Sequence, residues 1–224
     1  MSRWIEKYRP GSFPDCVGNR EIFLQLEGLV KAGETPHLLF YGPPGTGKTT
    51  SARIIARAIL GEDLTNVTEI NASSERGIDI LRDTISKATR HLTLDGRPRI
   101  VILEEADGIT REAQEMMRRP LESEGRVIFI LCLNELGRMN MAILSRCATF
   151  HFKPVPAAEI ERYLSLICER EAITLPAGTV HRIAGECGGD LRTAINNLQT
   201  AAAGNQQESE VDEVLKGYAE GVKA

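Results

Sequence analysis

Nine consecutive residues constrain this chain more than any others: Gly42-Pro-Pro-Gly-Thr-Gly-Lys-Thr-Thr50. They follow a short apolar run, His37–Tyr41, and lead into a helical pattern that continues through Ala58. Glycines let a backbone turn its N–H groups inward around an anion, and the start of the following helix adds positive potential. The spacing GxxxxGK[ST] predicts a phosphate loop of Gly42, Pro43, Pro44, Gly45, Thr46, Gly47, Lys48, Thr49 and Thr50. Lys48 would reach the β- and γ-phosphates of a bound nucleotide, and the Thr49 hydroxyl would face Mg²⁺. A chance glycine-rich turn is the alternative, and the flanking strand and helix decide against it.

Around the loop, four β-type runs alternate with helical patterns: His37–Tyr41, Val67–Asn71, 99–103 and Val127–Leu133. A weaker fifth covers 148–152. Continuous apolar strands separated by helices predict a parallel sheet covered on both faces. Ile78, Leu81, Ile85 and Ala88 recur at helical spacing over 78–90, and 110–121 reads as a helix ending near Pro120. Lys153-Pro154-Val155-Pro156 marks a hinge. Three helical segments follow, at 157–171, 177–187 and 190–203. The expected organisation is an α/β nucleotide-binding domain over 1–155, a small helical domain over 156–204 and an acidic tail over 205–224.

Charge and cysteine usage narrow the function. The 27 basic and 31 acidic residues give net −4, which argues against gripping nucleic acid by bulk charge. Residues 1–154 carry +1 and residues 155–224 carry −5, while 20 of the basic residues are Arg, the side chain suited to phosphate forks. With 42% apolar and 26% charged residues the composition is that of a folded globular chain. Cysteines 16, 132, 147, 168 and 187 are odd in number and form no CxxC, as expected of thiols in a reducing compartment, cytoplasmic or nuclear. The first ten residues carry charges where a signal peptide needs apolar side chains, and Val127–Leu133 is too short to span a bilayer. No histidine falls in a metal-ligand spacing.

The apolar run from Arg99 ends in Glu104-Glu105-Ala106-Asp107. Carboxylates at the C-terminal edge of a parallel strand stand where ligands bind in open α/β sheets. Glu104 could hold the Mg²⁺ shell and Glu105 polarise an attacking water. Acids at a helix start are the plain alternative, and the phosphate loop upstream outweighs it.

Six stretches together resemble the AAA+ ATPases, and among them the small subunits of replication factor C, the sliding-clamp loader. They are Trp4-Ile-Glu-Lys-Tyr-Arg-Pro10, the run 36–50, Asn71-Ala-Ser-Ser-Glu-Arg-Gly-Ile-Asp79, the acidic strand end, Ser145-Arg-Cys147 and Gly189-Asp-Leu-Arg-Thr-Ala-Ile-Asn-Asn-Leu-Gln199. The resemblance implies an AAA+ P-loop domain with a five-stranded parallel sheet, followed by a helical lid. It implies that Ile5, Arg9 and Val17 line the adenine and ribose. Asn134 resembles sensor 1, which positions the hydrolytic water, and Arg192 resembles sensor 2, reaching the γ-phosphate from the lid. Arg146 resembles the arginine finger inserted into a neighbouring subunit's site, worth on the order of a thousandfold in rate. Partners implied are other large and small loader subunits, a ring-shaped clamp and primer-template DNA. Arg76, Gly77, Arg82, Arg118 and Arg119 are the candidate contacts to the DNA backbone, against the plain reading of solvated helix arginines.

Three departures from that family matter. Glu104 stands where the family has Asp, which adds one methylene to a metal-shell carboxylate and implies slower hydrolysis with intact ATP binding. Ser74 replaces an acid. A small subunit of the family continues into a helical collar, whereas this sequence stops at Ala224. It is either part of a longer chain, with 205–224 the start of a collar, or a short relative. Without a collar, ring contacts would rest on the ATPase-domain interface, including Arg146. The readings are therefore an ATP-hydrolysing loader subunit, a ring component that binds ATP and scarcely hydrolyses it, and, ranked below both, another AAA+ machine acting on branched DNA or protein.

Overall fold

The computed structural model describes residues 3–73, 79–81, 83, 96–122 and 127–204. They fall into two compact units, Pro10–Lys153 and the described parts of Met1–Arg9 with Pro154–Ala224. Both crossings are X–Pro steps, Arg9–Pro10 and Lys153–Pro154.

The first unit is built on five parallel strands, β1 (His37–Tyr41), β2 (Val67–Asn71), β3 (Arg99–Glu104), β4 (Val127–Leu133) and β5 (Cys147–His151). Their order in the sheet is β2-β3-β4-β1-β5. The central β4 is buried along its whole length, as a strand covered on both faces must be. Side chains alternate with period two. Leu38, Phe40, Ile102 and Ile130 join one core with helices α2 (Arg20–Ala32) and α3 (Lys48–Leu60). Leu39, Leu103, Phe129 and Leu131 join the other, with α4 (Arg111–Glu122) and the short α5 (Met141–Leu144). Each large side chain withdrawn from water contributes roughly 1.5–3 kcal/mol.

The expected strands are all present, the fifth one residue earlier than read. Helix α2 was not among the expected elements; it buries Phe23 and Leu26, with Phe23 stacked on Phe13 and edge-on to Phe152. Helix α4 matches the helix expected over 110–121 to within one residue at each end, with Pro120 inside it. In the last turn a proline forfeits one hydrogen bond, and burial of Pro120 and Leu121 offsets that loss. Of the helix expected over 78–90, residues 79–81 and 83 are helical, Leu81 being buried, and the rest lies outside the described residues. The same holds for Ser74 and for the expected tail over 205–224.

The second unit contains α6 (Ala157–Glu171), α7 (Thr179–Glu186) and α8 (191–204). Ile160, Leu164 and Ile167 make the buried stripe of α6. The carboxylate of Asp190 caps α8, accepting from the backbone N–H of Arg192 and Thr193. Gly189, at φ 86°, backs onto Pro154, where a Cβ would stand 2.5 Å from the Pro154 side chain. Residues of α1 (Trp4–Lys7) and Tyr8 belong to this unit rather than to the α/β unit in which the sequence reading set them. Lys7 and the Tyr8 hydroxyl both donate to the Glu171 carboxylate, the Tyr163 hydroxyl donates to the Tyr8 carbonyl, and the Trp4 N–H donates to Gln199 Oε1.

All five cysteines are free thiols. Burial pushes Cys16, Cys132 and Cys147 up to about 12, which leaves them protonated near neutrality. Among the described residues no helix is long and apolar enough to cross a membrane.

Candidate nucleotide site

Within the α/β unit, the C-terminal edge of the sheet gathers most of the residues singled out in the sequence. Register pairs Tyr41 with Leu133, so the loop that starts at Gly42 leaves the sheet beside Asn134. Gly42, Gly45 and Gly47 have φ of 138°, 68° and 101°, a conformation side chains resist. At Gly42 the constraint is also steric: a Cβ would stand 2.0 Å from the Phe152 carbonyl oxygen. Thr46 is buried and its hydroxyl closes the loop on the Pro43 carbonyl. Asn19 Nδ2 donates to the Lys153 carbonyl and, at 3.5 Å, to that of Thr46, which brings the segment carrying half-buried Val17 to the loop.

Helix α3 begins at Lys48 with no side chain capping it. Its first turn therefore offers positive potential to an anion held by the loop. The Lys48 ammonium lies in the curl of that loop, donating to the carbonyls of Gly42 (2.6 Å) and Pro43 (2.7 Å) and reaching Asn134 Oδ1 at 3.4 Å. Asn134 is itself fixed by its backbone N–H, which donates to Asp107 Oδ1 at 3.1 Å. In the sequence Asp107 is only part of the acidic string, and no spacing rule assigns it this buttress.

The acidic string turns sharply as β3 ends. Glu105 sits at φ 53°, a left-handed conformation costing of order 1–3 kcal/mol for a non-glycine residue. A 3₁₀ turn over Ala106–Gly108 follows, packed so closely that a Cβ on Gly108 would meet Ser73 Cα at 2.9 Å. That turn separates the two carboxylates: Glu105 is exposed, while Glu104 is half-buried with its Oε1 3.8 Å from Arg53 Nη2. Arg53, which sequence reasoning missed, forks onto Glu69 at 2.9 and 2.6 Å.

Arg146 follows α5 with its guanidinium held inside its own chain, by Glu122 Oε1 (2.6 Å), the Ala142 carbonyl (2.7 Å) and the Ser145 hydroxyl (3.4 Å). Buried Gln114 fastens α4 to the segment leading into α5, donating to the carbonyls of Ile109 and Arg138 and accepting from Asn140 N–H. Arg118 is exposed and paired with Glu115; Arg119 is exposed beside it. Arg76, Gly77 and Arg82 lie outside the described residues. Ile5, Arg9 and Arg192 are in the helical unit, where Arg9 pairs with Glu6 and Arg192 is exposed on α8.

A glycine cradle ahead of an uncapped helix, a lysine inside it and an asparagine across from it form a chemically consistent set for a nucleotide's phosphates. Residues 38–155 match the family model for the ATPase family associated with various cellular activities (AAA). The chain belongs to the AAA ATPase family. Residues 162–203 match the model of an RCF1/5-like AAA+ ATPase lid domain, so α6 to α8 are the AAA lid. The replication factor C small subunit of Archaeoglobus fulgidus is 44% identical over 203 residues, covering 89% of this chain and 64% of that protein. The replication factor C subunit 3 of Blastobotrys adeninivorans is 38% identical over 216 residues, 95% of this chain and 64% of that one. The chain thus spans 64% of the length of these relatives. Among solved structures, the Thermotoga maritima RuvB Holliday junction branch migration motor superposes with a TM-score of 0.69 at 19% identity, covering 86% of this chain and 64% of that one. At that identity the likeness is one of AAA fold.

Proposed function

We propose that this AAA ATPase is a subunit of a sliding-clamp loader, which binds and hydrolyses ATP to open a ring-shaped clamp and set it on primed DNA. The juxtaposition of Lys48, Asn134 and Asp107 at the sheet edge supports the ATP site most strongly. The similarity of 89% of the chain to replication factor C small subunits supports the loader assignment.

In this reading the glycine loop and the first turn of α3 bind the phosphates, and Lys48 exchanges its loop carbonyls for the β- and γ-phosphate oxygens. Thr49 and Glu104 would hold Mg²⁺, whose contribution is to neutralise charge on the phosphates. Glu105 takes up the proton of the attacking water, and Asn134 fixes where that water stands. Ile5, Arg9 and Val17 receive the adenosine and Arg192 the γ-phosphate. Arg146 leaves Glu122 to enter a neighbouring subunit's site, where its guanidinium offsets developing negative charge. Arg118 and Arg119, with Arg76, Gly77 and Arg82, follow the DNA backbone, binding weakly per subunit and steeply dependent on salt.

Mixing variants tests this. Lys48→Ala and Arg146→Ala chains should each be inactive with partner subunits, clamp and primed DNA, and an equal mixture should recover activity, because one supplies a finger and the other a site. No recovery on mixing, or unchanged turnover after Glu105→Gln, would count against it. The added methylene of Glu104 and its approach to Arg53 favour a second reading, a ring component that binds ATP and turns it over slowly. Glu104→Asp separates the two: a large rate gain in the assembled complex supports the slow component, and an unchanged rate supports the first reading.

A further inference from the structure

Thr49 and Arg53 lie four residues apart on α3 and so share one helix face. Beneath that face, register pairs Glu69 with Ile102 and Asn71 with Glu104. Glu69 and Glu104 therefore project on the same side of the sheet, and Arg53 lies against both. Its fork closes firmly on Glu69, and the same Nη2 stands 3.8 Å from Glu104 Oε1. All three side chains are between 33% and 39% exposed, so water screens them only in part. With a divalent ion held at Thr49, a carboxylate at position 104 would have two competing cations: that ion, and a guanidinium one turn further along the helix that stays charged at any working pH.

We infer that Arg53 is a positioning residue for the metal shell, drawing the longer Glu104 carboxylate toward itself and lowering the affinity for the Mg²⁺ that accompanies the nucleotide. The inference rests on the reading of Thr49 and Glu104 as the Mg²⁺-facing pair. The longer side chain of a glutamate at 104, one methylene beyond an aspartate, reaches toward Arg53. Glu69 fixes the guanidinium, so the pull on Glu104 has a set direction.

The test titrates Mg²⁺ into the full chain loaded with a fluorescent ATP analogue and reads the Mg²⁺ midpoint for slowed nucleotide dissociation, with thermal unfolding confirming that each variant is folded. Arg53→Met should lower the midpoint roughly three- to tenfold, the scale of one partly screened charge near a divalent ion. Analogue affinity without Mg²⁺ should change less than twofold. Arg53→Lys, which keeps the charge, should stay nearer the wild type. In a Glu104→Asp background, Arg53→Met should have at most half its effect, because the shorter side chain stands further from the guanidinium. An unchanged or raised midpoint in Arg53→Met, or an equal effect with Asp at 104, overturns the role of Arg53. If the wild-type chain shows no response to Mg²⁺ and Lys48→Ala binds the analogue equally well, the site reading fails and this inference falls with it.

Discussion

Replacing Gly42 by alanine puts one methyl group where the fold has least room. The new Cβ would stand 2.0 Å from the Phe152 carbonyl oxygen and 3.0 Å from its carbonyl carbon, both backbone atoms. Neither can rotate aside. Phe152 N–H bonds to the Tyr41 carbonyl at 2.8 Å, continuing the β1–β5 pairing, and the Phe152 ring is fully buried against Phe40 and Phe23. Alanine at φ 138° adds strain of order 1–3 kcal/mol, and overpacking adds roughly 1–3 kcal/mol more. A combined loss of roughly 2–6 kcal/mol corresponds to a fall in melting temperature of about 5–20 °C for a chain of this size. Gly28→Ala supplies the opposite sign: in mid-α2 nothing lies within 4 Å of the new Cβ, so the variant should gain about 0.5–1 kcal/mol. Differential scanning calorimetry with and without Mg·ATP measures both. An unchanged melting temperature and intact ATP binding for Gly42→Ala would refute the claim that the loop is fixed by its contact with Phe152.

Further expectations follow from single contacts. Gln114→Leu strands three backbone partners, one buried and two partly buried, and should cost about 2–4 kcal/mol in urea unfolding, whereas Arg118→Leu, losing one exposed pair, should cost under about 1 kcal/mol. Hydrogen bonds from Lys7 and then Tyr8 hold the Glu171 carboxyl below the usual carboxylate range, and the Glu171 hydrogen bond holds the Lys7 ammonium above the usual lysine range. The contribution of Glu171 is present above its ordinary value of about 4.3 and lost as pH falls through its lowered one; that of Lys7 is present below about 10.4 and lost as pH rises through its raised one. Fluorescence of Trp4, the single tryptophan, should be flat between about pH 5 and 10 and shift only outside that window. Glu171→Gln should shift it even at neutral pH, and a bell-shaped profile within the window would contradict the assignment.

How much of this could be read from residues alone depends on whether the cause was local. The central strands were the most legible because β1, β3 and β4 are largely apolar runs, β4 throughout, while β2 and β5 each bury a single side chain. The phosphate loop was legible because its glycines take left-handed backbone angles, a local requirement, whereas the contact of Gly42 with Phe152 is not encoded locally. The helix α2 was passed over although Phe23, Leu26 and Val30 recur at helical spacing; the polar residues between them obscured the stripe, and its partners Phe13 and Phe152 are distant in sequence. The helix over 110–121 is legible in sequence, and burial of Pro120 and Leu121 lets its last turn accommodate the proline. Asp107 beneath Asn134, Arg53 beside Glu104 and Glu122 on Arg146 are meetings between separate elements, fixed by sheet register and helix packing. No spacing in one dimension encodes them. The grouping of Lys7 and Tyr8 with the lid has the same origin, since Glu171 lies more than 160 residues away.

Calorimetric titration of Mg·ATP into the purified chain, with Lys48→Ala beside it, probes the central claim most directly. The account predicts saturable one-to-one binding by the wild type and at least a tenfold weakening in the variant, with an unchanged melting temperature showing that the variant is folded. No binding heat from the wild type, or equal affinity in the two chains, would contradict it.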